Sequence, residues 1–162
     1  GGIKFSEQLV HIGLVCGETT HWCFEDVLKL LAAKNINIPF LCHSGVSTSA
    51  ESVFCVDSKD FDTVQSVLNA SLFAESTFAV THSVGTLTVF PHRYSVQFLG
   101  QILAVITGCN YPVYSLSTSI STVAINTDYY SLDTIATKLQ TVVELPENHA
   151  PFRQEFCLKQ VQ

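Results

Sequence analysis

The chain has 162 residues, 47% of them apolar and only 14% charged, with a net charge of −6. That length suits one ordinary domain or two very small ones, with enough apolar side chains for a real core. Eight basic residues without a run or stripe argue against nucleic acid and acidic membrane surfaces as partners, and the apolar stretch around residues 102–106 is far shorter than the roughly 20 residues of a membrane span. The low charge fits a surface covered by a partner subunit or by more of a longer chain. A Ser- and Thr-rich surface fits it equally well. The absence of Met reads as a segment or a processed chain. Six cysteines at 16, 23, 42, 55, 109 and 157 show no CxxC spacing and mostly have apolar neighbours. They are read as buried free thiols in a reduced, cytoplasmic protein.

In chain order, "LVHIGLVCG" is a strand-length apolar run. Phe24, Val27, Leu28 and Leu31 then recur at helical spacing, and the helix is expected to end near Asn35. "IPFLC" is the next strand, with Pro39 at its start. "SGVSTSA" reads as a turn-rich break and "ESVFCVD" as a strand. A helix follows, with Asp60 as N-cap and Phe61, Val64, Val67 and Leu68 on one face. "STFAVTHSVGTLTVF" supplies one or two strands, with a turn or bulge at Val84-Gly85. Ser95 caps a helix carrying Leu99, Ile102, Leu103 and Ile106, stopped at Gly108. "PVYSLSTS" and "STVAIN" are strands, and Ser131 caps a helix with Leu132, Ile135, Ala136 and Leu139 on its face. "LPENHAP" is a polar linker, and "FRQEFCLKQV" closes as a strand.

The order repeats. Pro39 and Pro112 match at a spacing of 73, and Asp62-Thr63-Val64 with Leu68 match Asp133-Thr134-Ile135 with Leu139 at 71. Each repeat is strand–helix–strand–strand–helix–strand, and one such unit leaves a sheet face and edge to be covered. Ile36-Asn37-Ile38 at a helix-to-strand step, Ser117-Thr118-Ser119 after the second repeat's second strand and the opening "GGIKFSEQLVHIGLV" resemble the tandem ACT regulatory region of aspartate kinases. The resemblance implies an α+β fold of two ferredoxin-like βαββαβ ACT units side by side, with antiparallel sheets and helices on one face. The units are expected at 1–80 and 81–162, with residues 1–7 as a strand pairing with the second unit.

The resemblance also implies a regulatory module rather than an enzyme, needing no cofactor. It implies a small amino-acid ligand such as lysine or threonine, a homodimer, and possible linkage to a kinase catalytic domain. The implied ligand residues are Thr19, Thr20, His21, Trp22, His43, Ser44, Arg93, Tyr94, Ser117 and Thr118. Loop amides at a helix N-terminus would supply donors to the ligand carboxylate, and strand-end carbonyls and hydroxyls would accept from its ammonium. Where the family has Pro-Gly in the first loop, this chain has His21-Trp22, and its Gln-Asn at the strand end becomes His43-Ser44. The alternative is a degenerate ACT pair used only for dimerisation and assembly.

The residues also offer other chemistry. Cys16, Cys23, His11 and His21 invite a Cys–His nucleophile, and His21, Cys23 and His43 a metal site, but single His and Cys residues on ordinary elements are commoner. Trp22 is either a pocket wall or a packing residue. Arg93 either meets a carboxylate or faces solvent.

Overall fold

Alternation in the strands and three-to-four spacing in the helices decide most of the local structure. The computed structural model of the chain describes residues 2–16, 23–46, 49–70, 77–90 and 95–143. In order, the elements are β1 (Gly2–Phe5), β2 (Leu9–Cys16), α1 (Cys23–Ala33), β3 (Phe40–Val46), β4 (Ser49–Asp57), a 3₁₀ turn (Ser58–Asp60), α2 (Phe61–Leu68), β5 (Thr77–Phe90), α3 (Val96–Gly108), β6 (Ser115–Thr118), β7 (Val123–Asp128), a second 3₁₀ turn (Tyr129–Ser131) and α4 (Leu132–Leu139). The chain divides into two compact units. Gln8–Val84 is the first, and Gly1–Glu7 with Gly85–Gln162 the second.

In the first unit the strand order is β3-β4-β2-β5, with β2 antiparallel to both neighbours. Strand β2 sends Val10, Ile12 and Leu14 to one face, where they meet Phe54 and Val56 of β4. Val27 and Leu31 of α1 and Phe61, Val64 and Leu68 of α2 close the same core. Both helices therefore lie on one face of an antiparallel sheet. Each fully buried Leu or Phe here contributes about 1.5–3 kcal/mol relative to an exposed one.

The second unit repeats the plan with β6-β7-β5 and a core of Leu87, Val89, Val123, Ile125, Ile102, Ile106, Leu132, Ile135 and Leu139. Strand β1 pairs antiparallel with β5, setting Ile3 opposite Val89 and into this core. The closing strand expected from "FRQEFCLKQV" and the linker before it lie outside the described residues.

Strand pairing corrects the repeat spacing. Phe40 pairs with Cys55, and Ser115 pairs with Asn126. The first half of the repeat therefore recurs from 40 to 115, a spacing of 75, while 55 to 126 is 71. Pro39 corresponds to Tyr114, not to Pro112. The first unit's β3–β4 hairpin is four residues longer than its counterpart, because "SGVSTSA" extends β3 to Val46 and restarts β4 at Ser49. In the second unit, only Ser115–Thr118 of "PVYSLSTS" pairs as strand.

Helix ends also differ from expectation. Asp60 and Ser131 make no side-chain cap. Asp57 caps the first 3₁₀ turn, accepting from Lys59 N at 3.1 Å, and Asp128, which caps no backbone amide, accepts from Ser131 Oγ at 2.6 Å. The 3₁₀ turns already order these entries, so the polar anchor moves upstream. Ser95 does cap α3, accepting from Phe98 N at 3.1 Å. Helix α3 does end at Gly108, but that glycine is not the left-handed residue. Asn110 takes the left-handed conformation with φ 58°, as Asn35 does after α1 with φ 55°. The amides of Ile36 and Tyr111 then reach back to Leu31 O and Ile106 O.

Of the turn or bulge expected at Val84-Gly85, the structure has the bulge, one residue earlier. Strand β5 is continuous, and its irregularity falls at Ser83, with φ 56°, opposite the register shift between Leu9 and His11. Gly85 has a packing reason: a Cβ there would lie 2.5 Å from Leu132 Cδ1 and 3.2 Å from Tyr129 Cα. Among the cysteines, Cys55 is buried as expected, but Cys42 is exposed on β3 and Cys109 is half-buried.

Candidate functional site

The expected ligand residues fall into loop and strand-end groups. Thr19, Thr20, His21, Trp22, Arg93 and Tyr94 lie outside the described residues. The structure places His43 and Ser44 near the end of β3 in the first unit, and Ser117 and Thr118 at the end of β6 in the second. At the spacing of 75, His43 corresponds to Thr118 and Cys42 to Ser117.

Strand alternation separates adjacent members of each pair. His43 stands opposite Ser52, on the helix-bearing face with Phe54, while Ser44 points to the other face. His43 Nδ1 is 2.8 Å from Ser52 Oγ, and Ser52 is fully buried. The His43 ring stacks on Phe24 with centroids 5.1 Å apart and planes 7° from parallel. Phe24 packs in turn at a tilt on Phe54, 6.2 Å away. His43 is thus held against the first turn of α1, the helix that begins where the first loop ends.

Thr118 is opposite Val123 on the helix face of its own unit, and Ser117 is opposite Ala124 on the other face. Beyond them the chain turns tightly. Ser119 N donates to Thr122 O at 2.9 Å, Thr122 N donates to Ser119 Oγ at 3.2 Å, and the two hydroxyls are 2.6 Å apart. Ile120 at the tip is 75% exposed, as is Val96 at the start of α3 (80%).

The two helix starts differ in charge. The first turn of α1 carries Glu25 and Asp26, which Lys29 approaches at 2.7 and 3.7 Å. Glu25 is the main reason that the Lys29 ammonium is held above its ordinary pKa. The first turn of α3 has no acidic residue. Carboxylates thus answer the helix dipole at α1, whereas at α3 the Ser95 hydroxyl caps the first turn.

Of the residues named for nucleophilic or metal chemistry, only His11 and His43 have described side chains; the side chains of Cys16 and Cys23 lie outside the description. His43 is engaged by Ser52 and Phe24, and His21 lies outside the described residues. Among the described residues no group of three His, Cys, Asp or Glu is placed to hold a metal ion. His11 lies across from Cys55. Burial lowers the His11 pKa and pushes the Cys55 thiol up to about 12, the reverse of an activated thiolate. No described helix is long and apolar enough to cross a membrane.

Sequence reasoning missed Ser52 and Phe24 as the partners of His43. The signal was the hairpin register: pairing Val46 with Ser49 sets Ser52 opposite His43. It also missed a buried polar chain in the second unit. Thr86 Oγ1 donates to Asn126 Oδ1 at 2.6 Å, and Asn126 Nδ2 donates to Ser115 Oγ at 2.7 Å.

No protein-family model matches the sequence, and no curated protein matches it. Solved structures do match the fold. A chain of the aspartokinase alpha and beta subunit structure superposes with a TM-score of 0.76 at 16% identity, covering 90% of this chain and 99% of that one. The ligand-free regulatory subunit of aspartate kinase from Thermus thermophilus gives 0.75 at 11% identity, covering 89% and 99%. E. coli aspartokinase III, solved with lysine and aspartate, gives 0.67 at 13% identity; 90% of this chain covers 33% of that one. The chain therefore has the fold of aspartate kinase regulatory regions.

Proposed function

We propose that this chain, built on the fold of aspartate kinase regulatory regions, is a tandem ACT module that binds a small amino acid and passes that event to a kinase domain or partner subunit. It is a regulatory element rather than a catalyst, acting as a homodimer in the cytoplasm. The observation that carries this reading is the doubled strand–helix plan, matched over nine-tenths of the chain by a chain of the same length class. The class of ligand follows from the E. coli relative of this fold, solved with lysine and aspartate. In this reading Thr19, Thr20, His21, Trp22, Arg93 and Tyr94 supply the loops, and His43, Ser44, Ser117 and Thr118 the strand ends. Lysine and threonine are the first ligands to test.

A second reading, an ACT pair used only for assembly, is favoured by one feature. Both strand ends use their polar groups internally, His43 on Ser52 and Ser119 on Thr122. A thermal-shift screen over the free amino acids separates the two. A ligand at about 100 times its Kd adds about 2.7 kcal/mol to stability, which raises the melting temperature by roughly 5–10 °C in a chain of this size. If no amino acid at about 10 mM raises it, a regulatory site of useful affinity is excluded and the assembly reading stands.

A further inference from the structure

The first unit carries a groove of about 520 Å³ on the outer side of its helices, lined by Leu30 and Lys34 from α1 and its end, and by Asp62, Thr63, Ser66, Val67 and Ala70 along and just past α2. Its size lies within the range of small-molecule sites. Because β2 and β4 are antiparallel, the helices that follow them run antiparallel as well. The end of α1 therefore meets the start of α2, and Lys34 and Asp62 share one end of the groove. Leu30, Val67 and Ala70 form its apolar remainder, and the lining from Asp62 to Ala70 runs about 12 Å at 1.5 Å per residue.

The charges at this end are uncommitted. Lys29 pairs with Glu25 and Asp26, and Lys59 with Asp57. Among the described residues, neither the Lys34 ammonium nor the Asp62 carboxylate has an ion-pair partner. Leu30 and Val67 are only partly buried against the core beneath them. One cation and one anion at the head of an apolar channel complement a molecule with a carboxylate, an ammonium and an apolar tail. We infer that this groove is a second small-molecule site, separate from the strand ends, for a free amino acid with a large apolar side chain. The carboxylate meets Lys34, the ammonium meets Asp62, and the side chain lies along Leu30, Val67 and Ala70.

The test is a titration of L-phenylalanine into the ¹⁵N-labelled full chain, followed by amide chemical shifts. Saturable shifts are expected at Leu30, Lys34, Thr63, Ser66 and Val67, with a Kd on the order of millimolar. Phenethylamine and 3-phenylpropanoate, each with one of the two charges, should bind at least about threefold more weakly, the scale of one exposed ion pair. Lys34→Glu should weaken L-phenylalanine by at least that factor, and Ala70→Glu, at an exposed position, should remove binding while circular dichroism shows the fold intact. The proposal is overturned if these amides do not shift, if shifts appear only at strand-end residues such as His43 and Thr118, or if both variants bind like the parent chain. Shifts that depend on protein concentration alone would assign the groove to a second copy and overturn it too. The readout at α1 and α2 is independent of any ligand at the strand ends.

Discussion

Near the middle of the first unit's sheet, on the face away from its helices, His11, Cys55 and Phe40 lie side by side across three strands. At the same three places the second unit has Thr86, Asn126 and Ser115, joined by hydrogen bonds of 2.6 and 2.7 Å. On the helix-bearing faces the units agree. Phe61, Val64 and Leu68 of α2 are replaced by Leu132, Ile135 and Leu139 of α4, all buried. The difference teaches where register comes from. Core packing against the helices fixes it, because a one-residue slip would turn every apolar side chain outward. The opposite face can then change chemistry, provided each buried polar group finds a partner. Asn126 meets that condition with two hydroxyls. Cys55 meets it as a small hydrophobe that stays protonated.

The comparison can be broken at its strongest point by one change made in both units. Leu68→Ala and Leu139→Ala each remove a buried leucine from the same place, and each is expected to cost about 2–5 kcal/mol in urea unfolding. A loss in only one of them would end the equivalence of α2 and α4. Next in size, Asn126→Ala should cost about 1–3 kcal/mol, because it removes the acceptor of the buried Thr86 hydroxyl. Adding Thr86→Val to that variant should cost less than the same change in the parent chain, a coupling that a double-mutant cycle reads directly.

The first unit's counterpart should respond to pH instead. Burial lowers the His11 pKa below its ordinary 6.5. Below pH 6.5 the unfolded chain therefore binds a proton that the folded chain refuses. Stability falls as pH drops from about 6.5 toward the lowered value, with a slope of up to about 1.4 kcal/mol per pH unit. His11→Gln should flatten that slope in thermal melts between pH 7 and 5; an unchanged slope would assign it to other groups. The smallest effect is expected at the helix ends. Asn35→Ala and Asn110→Ala should each cost about 1 kcal/mol at a left-handed residue, and the glycine variants little or nothing.

Much of this architecture was legible. The strand "LVHIGLVC", the faces of all four helices and the strand–helix order carry strong periodicity, and period follows from side-chain direction alone. What misled was punctuation. Two prolines 73 residues apart looked equivalent, yet strand pairing, which the chain order does not display, sets the spacing at 75. Gly108 is indeed the last residue of α3, but the left-handed conformation a glycine would take falls to an asparagine two residues on. Val84-Gly85 looked like a turn or bulge; the bulge is at Ser83, and Gly85 is a place where Leu132 leaves no room for a Cβ. For the site, residue type pointed to His43, but its Ser52 and Phe24 contacts depend on a hairpin turn that the Ser and Thr content had placed too broadly.

The central claim is that the paired units bind a small amino acid through their strand ends and loops. Calorimetric titration of lysine and of threonine into the full chain, repeated with His43→Ala and Thr118→Ala, tests it most directly. The account predicts a saturable heat for one of the two amino acids, with a Kd of about 1 mM or tighter, weakened by at least one of the variants while the fold is retained. Absence of heat from both amino acids, or binding that neither variant alters, would contradict it.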